Sequence, residues 1–125
     1  MAEKYSDVTA FAQPSSQQPS SEQSSSPDSL NEYPRTVAVV VTYNREDLLP
    51  KTLAGIASGE RVPAAVVIVD NASTDGTAEY LRTLDYELPV DCIRLEKNMG
   101  GAGGFAVGID RALERHNPDL VWVMD

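Results

Sequence analysis

The sequence has little cysteine, little positive charge and no long apolar run, and each shortage excludes a class of protein. Its one cysteine, Cys92, cannot form an internal disulfide, which favours a reducing compartment over a disulfide-stabilised secreted domain. The 10 Lys and Arg residues are outnumbered by 19 Asp and Glu residues and form no stripe, so nucleic acid is not an expected partner. No stretch resembles a signal peptide or a transmembrane helix.

The first 34 residues differ in composition from the rest of the chain. Between Ser15 and Ser29 almost every residue is Ser, Gln or Pro. Such a segment has too little apolar surface to offset the entropy lost on ordering. We therefore expect a disordered leader over residues 1–34 and one folded part over residues 35–125.

From Thr36 onward, strand-like and helix-like patterns alternate. Four short runs rich in β-branched and apolar residues predict strands, of which the first two are expected to be buried. Three helical patterns separate them, and the last follows a glycine-rich loop, with Phe105, Ile109 and Leu113 predicted to face inward. The order βαβαβαβ predicts an α/β fold with a Rossmann-like parallel sheet. The predicted strands are residues 36–42, 64–69, 90–95 and 120–124.

Polar or glycine residues follow all four predicted strands. Because the carboxyl ends of parallel strands meet at one edge of a sheet, where ligands bind in such folds, the sequence predicts a binding site at that edge. Each residue also has an ordinary structural explanation, as a turn, a packing or a helix-capping residue. The candidates are Thr42, Tyr43 and Arg45 after the first strand, Asp70 after the second, Asn98 and the glycines at 100, 101, 103 and 104 after the third, and Asp125 after the fourth.

The chemistry of these candidates suits a nucleotide. Asp70 could accept a hydrogen bond from a base or a ribose hydroxyl, Tyr43 could stack on a base, and Arg45 could pair with a diphosphate. The glycines would let the backbone approach a ligand and present free amides at a helix start, or alternatively permit tight packing of helix on sheet.

A dinucleotide-binding oxidoreductase is an alternative interpretation of the glycine-rich stretch. Residues 101–106 fit the loose pattern G-x-G-x-x-G/A, and Asp125 follows where a ribose-binding acid is expected. That pattern, however, needs its first glycine almost directly after the first strand of the fold. Here residues 96–100 separate Gly101 from the third predicted strand, and the first strand end holds no glycine.

Several segments in order resemble the family 2 glycosyltransferases, which have a GT-A fold. Residues 39–45 read VVVTYNR, residues 67–77 read VIVDNASTDGT, residues 98–105 read NMGGAGGF and residues 121–125 read VWVMD. The last two are most similar to the branch of galactofuranosyltransferases and rhamnosyltransferases of bacterial cell-envelope assembly. The resemblance covers residues 36–125.

The resemblance implies roles for particular residues. Thr42, Tyr43 and Arg45 would line the nucleotide pocket and Asp70 would contact the base. Asn98, Gly100 and Gly101 would lie near the ribose-diphosphate of the donor. Asp125 would open an acidic metal-binding motif that holds Mg²⁺ or Mn²⁺ against the diphosphate, and a later carboxylate would act as general base for an inverting transfer.

The resemblance also implies a longer protein. The sheet is then incomplete at its C-terminus, residues 35–125 are the nucleotide-sugar-binding front of a truncated domain, and the chain alone is expected to be inactive. The donor would be UDP-galactofuranose or dTDP-rhamnose, and the acceptor a glycan or a lipid-linked glycan. The implied location is cytoplasmic or peripheral at the inner face of the plasma membrane. A stand-alone, non-catalytic nucleotide-binding module remains an alternative.

Overall fold

One mixed sheet with helices on both faces makes up the fold. The computed structural model describes residues 8–11 and 33–125. Within these ranges the strands form a single sheet with the order β1-β4-β3-β2-β5, in which β2 to β5 are parallel. This confirms the predicted Rossmann-like α/β fold. The elements are β1 (Val8–Phe11), β2 (Thr36–Thr42), α1 (Leu49–Ala57), β3 (Ala65–Asp70), α2 (Thr77–Arg82), β4 (Val90–Leu95), α3 (Gly100–Arg115) and β5 (Leu120–Met124).

Strand β1 is an element that the sequence analysis did not predict. It pairs antiparallel with β4, with Val8 opposite Leu95 and Phe11 opposite Cys92. A strand of four residues gives no clear periodic signal, and a long Ser, Gln and Pro-rich stretch separates it from the next strand. The other residues of the expected leader up to position 32 lie outside the described ranges.

The alternation of side chains divides the apolar core into two layers. Val37, Val39 and Val41 of β2 pack with α3, whereas Ala38 and Val40 pack with residues of α1 and α2. Strand β3 is buried at all six positions. A β-branched run without polar interruption is therefore required, because both sides of each central strand are covered.

Helix α3 begins at Gly100, inside the stretch predicted as a loop, and its inward face agrees with the prediction only in part: Phe105 packs against the core, but Leu113 does not. Leu113 is 56% exposed, and the buried positions are Gly104, Val107, Gly108 and Ala112. A Cβ atom on Gly108 would clash with Val39 Cγ1 and lie 3.0 Å from Val69 Cγ2. Small residues thus set how closely α3 approaches the sheet.

A charged cluster fixes the end of α3 to the amino-terminal edge of the sheet. Arg111 Nη1 and His116 Nε2 lie 2.7 Å and 2.9 Å from the two carboxylate oxygens of Asp91 in β4. Burial alone would raise the pKa of Asp91, but the hydrogen bond with His116 and the charges of Arg111, His116 and Arg115 outweigh it and lower the pKa. The charged form of Asp91 therefore stabilises the folded chain.

The Asp91 cluster predicts a loss of stability in acid. A carboxyl group whose pKa is lower in the folded than in the unfolded chain stabilises the fold above its unfolded pKa, and that contribution is lost as the pH falls through the folded value. The loss of stability is therefore expected below pH 3.8, the ordinary pKa of an aspartate side chain. The free energy of unfolding can be measured with urea between pH 7 and pH 2.5. Its fall in acid should be less steep for Asp91→Asn than for the unmodified chain, whereas Asp85→Asn, at an exposed position, should leave that fall unchanged. Equal slopes for both variants would contradict the assignment.

Two further features complete the fold. Cys92 is fully buried, and this burial, with the nearby charges of Asp91 and Asp70, raises the pKa of its thiol to about 12, so it acts as a small core residue.

Strand β5 forms one edge of the sheet and leaves Leu120, Trp122 and Val123 about half exposed. No helix in the described part of the chain has the length and apolarity needed to cross a bilayer.

Candidate functional site

Successive strands are added to one side of β2 and then to the other, and this reversal of strand order defines the position of the candidate site. From β2 the chain proceeds to β3 and β4 on one side, and then returns to place β5 on the other side. Ligands of open α/β sheets bind outside the carboxyl ends of the strands at such a reversal. Thr42 ends β2, and Asp125 follows Met124, which pairs with Val40 of β2. The structure therefore brings Thr42 and Asp125 to neighbouring strand ends.

The loop after β2 forms one wall of this edge. Tyr43 is 43% exposed and Arg45 is also exposed. Asn44 between them has a φ of 50° and binds the loop after β3: its backbone amide donates to Ser73 Oγ at 2.8 Å, and its side-chain oxygen accepts from the Thr74 amide at 2.7 Å. The exposed Tyr43 thus lies in a loop whose backbone is fixed by hydrogen bonds to the loop after β3.

A second link between these loops involves acidic residues. The Glu46 amide donates to Asp75 Oδ2, and the Gly76 amide donates to Glu46 Oε1 at 2.9 Å. Asp75 also accepts from the Thr77 amide at the start of α2. The nearby Thr77 hydroxyl lowers the pKa of Asp75 most, and backbone amides add to this effect.

Asp70 lies beneath the edge instead of facing it. It is fully buried, its Oδ1 accepts from the Ser73 amide at 3.0 Å, and its Oδ2 pairs with Arg94 Nη1 at 2.7 Å. Both carboxylate oxygens are therefore engaged inside the protein. Because Asp70 has no exposed surface, contact with a base, the role that the family resemblance implies, would require the groups that cover its carboxylate to move.

The start of α3 forms the other wall of the edge. Asn71, which is 3% exposed, accepts from the Met99 amide at 2.8 Å and donates to the Gly100 carbonyl at 2.9 Å. Asn98 Oδ1 accepts from the Gly100 amide at 2.7 Å, which forms an Asx turn just before the helix, whose N-cap residue is Met99. Gly100 has a φ of 77°, and the space beside Gly100 and Gly101 is open.

The glycines thus divide into two kinds. Gly104 packs against the sheet, since a Cβ there would lie 2.7 Å from Val41 Cγ1, whereas Gly100 and Gly101 border open space. All of them lie within α3 and not in a turn that precedes it. This differs from a dinucleotide-binding fingerprint, in which the first glycine makes the tight turn between strand and helix.

Two further observations describe the chemistry of the edge. Thr42 Oγ1 is buried without a hydrogen-bond partner in the described ranges. A buried hydroxyl without a hydrogen bond destabilises the fold unless another group supplies that bond. Asp125 is exposed and offers a hard oxygen ligand, which suits Mg²⁺ or Mn²⁺, but residues 8–11 and 33–125 contain no group of three side chains able to hold a metal ion.

Asn71, Ser73 and Arg94 were not predicted as parts of the site. They make the contacts that support its walls. Asn71 and Ser73 stand in the polar segment that follows β3 but were given no role, and Arg94 was signalled by its position opposite Asp70 in the adjacent strand.

A parallel sheet whose strand order reverses beside β2 has the Rossmann-like α/β arrangement. The space between the two walls, the loop after β2 and the start of α3, is here called the crevice. The chain belongs to glycosyl transferase family 2, since the model of that family matches residues 37–125. The expected family resemblance is thereby confirmed.

Individual relatives agree with this membership. The chain is 35% identical over 88 residues to galactofuranosyltransferase GlfT1 of Mycolicibacterium smegmatis and 40% identical over 91 residues to that of Mycobacterium tuberculosis, covering 70% of this chain in each case. It covers 28% and 29% of those relatives, so it spans less than a third of their length.

A solved structure is also similar. The mannosyltransferase PcManGT from Pyrobaculum calidifontis, in complex with GDP-Man and Mn²⁺, aligns with a TM-score of 0.59 and 28% sequence identity. The alignment covers 73% of this chain and 27% of the mannosyltransferase. The relationship supports the use of nucleotide sugars and a divalent metal within the family.

Proposed function

We propose that the chain provides the donor-nucleotide site of an inverting, metal-dependent glycosyltransferase that acts in cell-envelope polysaccharide assembly. The observation that carries the proposal is the meeting of Thr42 and Asp125 at the reversal of strand order, in a chain of glycosyl transferase family 2. The galactofuranosyltransferase relatives favour UDP-galactofuranose over dTDP-rhamnose as donor. The acceptor is a glycan or lipid-linked glycan, which would suit a peripheral position at the inner face of the plasma membrane.

Each wall of the crevice has a part in donor binding. Tyr43 stacks on the base, and the buried Thr42 hydroxyl gains a hydrogen-bond partner from the nucleotide. The open backbone at Gly100 and Gly101 lets the diphosphate approach the start of α3, where the helix dipole favours negative charge. Arg45 offers a positive charge on the opposite wall.

Asp125 supplies a carboxylate for the divalent ion. When bound, Mg²⁺ or Mn²⁺ would neutralise the charge that develops on the departing nucleoside diphosphate. A single carboxylate makes a weak site, because such ions take several oxygen ligands. The 125-residue chain is therefore expected to bind nucleotide without transferring sugar, and the whole enzyme would require further acidic residues and a general base.

Calorimetry with UDP, GDP, dTDP and NAD⁺ tests the proposed site. The chain should bind UDP, and more tightly with Mn²⁺ present, whereas NAD⁺ should bind much more weakly. Tyr43→Ala should weaken UDP binding about tenfold, since stacking on an aromatic side chain contributes about 1–3 kcal/mol per base. Asp125→Asn should remove the effect of Mn²⁺.

Tyr33→Ala is the matched control, because Tyr33 is similarly exposed but packs on Arg61 away from the carboxyl ends of the strands. It should leave the affinity for UDP unchanged. Preferential NAD⁺ binding would instead support the dinucleotide alternative. Metal-independent UDP binding that Asp125→Asn does not alter would support a non-catalytic binding module.

A further inference from the structure

Arg94 connects the interior of the sheet to the end of β3. It lies opposite Asp70 in the register of β3 and β4. Its Nη1 atom is 2.7 Å from Asp70 Oδ2, and its Nη2 atom donates to the Ser73 carbonyl oxygen at 3.1 Å. One guanidinium group therefore holds both the strand end and the turn that follows it, using the forked geometry that only arginine offers.

The contacts continue from this turn to the loop that carries Tyr43. The Ser73 amide donates to Asp70 Oδ1 at 3.0 Å, and the Asn44 amide donates to Ser73 Oγ at 2.8 Å. Asp70 and Ser73 are both almost completely buried. A continuous series of hydrogen bonds thus runs from Arg94 through Asp70 and Ser73 to the residue next to Tyr43.

Both joined loops hold a residue in the left-handed backbone region. Asn44 has a φ of 50° and Ala72 a φ of 68°. Residues other than glycine rarely adopt this conformation without support, and alanine has no side-chain hydrogen bond of its own to favour it. The two loops are thus expected to relax if the series of contacts is interrupted.

We propose that Arg94 is a positioning residue for the donor nucleotide. By holding Asp70 and Ser73, it keeps the backbone of Asn44, and with it the Tyr43 ring, in the geometry that receives the base. Asp70 takes part by linking Arg94 to the Ser73 amide through its buried carboxylate. This inference rests on the proposed function of the same crevice.

Ser73→Ala and substitutions of Arg94 test the positioning role by calorimetry with UDP and Mn²⁺. Ser73→Ala leaves the Asp70–Arg94 ion pair intact and removes the acceptor for the Asn44 amide, so it should weaken UDP binding about fivefold. Arg94→Gln should weaken binding further. Arg94→Lys should recover part of the affinity, because an ammonium group can pair with Asp70 but cannot bridge to the Ser73 carbonyl as well.

A double-mutant cycle separates positioning from general stabilisation. If Ser73 acts through the Tyr43 ring, the effect of Ser73→Ala on UDP affinity should disappear in a Tyr43→Ala background. Thr83→Ala is the control: it removes a hydroxyl that donates to the Glu79 carbonyl at the end of α2, and should lower the thermal midpoint without changing UDP affinity.

Two results would overturn the inference, and they are distinguishable. If the unmodified chain binds UDP but Ser73→Ala and Arg94→Lys change only the thermal midpoint, or if the effects of Ser73→Ala and Tyr43→Ala are additive, the residues are structural and the positioning role is wrong. If the unmodified chain binds no nucleoside diphosphate, the proposed function fails and this inference fails with it.

Discussion

Replacing Gly108 with valine is expected to destabilise the chain by about 3 kcal/mol, because overpacking of a rigid core costs roughly this much. A side chain at this position would enter the space of Val39 and Val69 on two central strands. These valines are fully buried and have stiff side chains, so they cannot move aside as a long surface side chain could. Chemical denaturation followed by circular dichroism measures the loss.

Gly55→Ala is the matched control for this prediction. Gly55 also lies within a helix, but no atom lies within 4 Å of the position that its Cβ would occupy. Alanine should therefore stabilise the chain by about 0.5–1 kcal/mol through its higher helix propensity. If Gly108→Val were as stable as the unmodified chain, the close packing of α3 on the sheet would be incorrect.

Asn71→Ala is expected to cost about 2–3 kcal/mol, since it leaves two partly buried backbone groups without their partner. The Asn71 side chain both accepts from the Met99 amide and donates to the Gly100 carbonyl, so it fixes the start of α3 to the end of β3. Hydrogen exchange should show the Met99 amide losing protection, and UDP affinity should fall because the wall formed by Gly100 becomes mobile.

Asn98→Ala provides the comparison for Asn71. Asn98 also accepts from an amide of this helix start, but it is exposed and makes one such bond. Its replacement should cost only about 1 kcal/mol, as for a single exposed hydrogen bond. Equal losses for the two variants would show that burial of Asn71 adds nothing to the attachment of α3.

The central strands β2 and β3 were predictable because their burial on both faces leaves an almost uninterrupted apolar pattern. Val90–Leu95 and Leu120–Met124 have the predicted bounds, and β3 is displaced by one residue from the predicted range. Helix α3 was harder, because the prediction assumed that large apolar residues mark the inward face. Where a helix lies close to a sheet, glycine and alanine occupy that face, and such a pattern resembles a loop.

The edge of the sheet that holds the candidate site could be predicted from the order of strands and helices, but the hydrogen bonds within the site could not. Thr42 and Asp125 could be placed at one edge because parallel strands share their direction. The hydrogen bonds of Asn71 and Ser73 depend on the exact path of two loops, which no local sequence pattern encodes. Asp70 illustrates the difference: its position at a strand end was predicted, but whether its carboxylate faces a ligand or an arginine depends on the neighbouring strand.

The exposed edge strand β5 gives this chain a useful spectroscopic property. Trp122, the only tryptophan, lies on β5 opposite Ala38, three residues before Asp125. Its fluorescence therefore reports the local environment of the sheet edge and not that of the valine-rich interior. Emission would register fraying of β5 before the far-ultraviolet signal of the helices changes, and it would respond to a quencher such as Mn²⁺ held near Asp125. The same optical signal can thus follow both edge opening and metal occupancy without any added label.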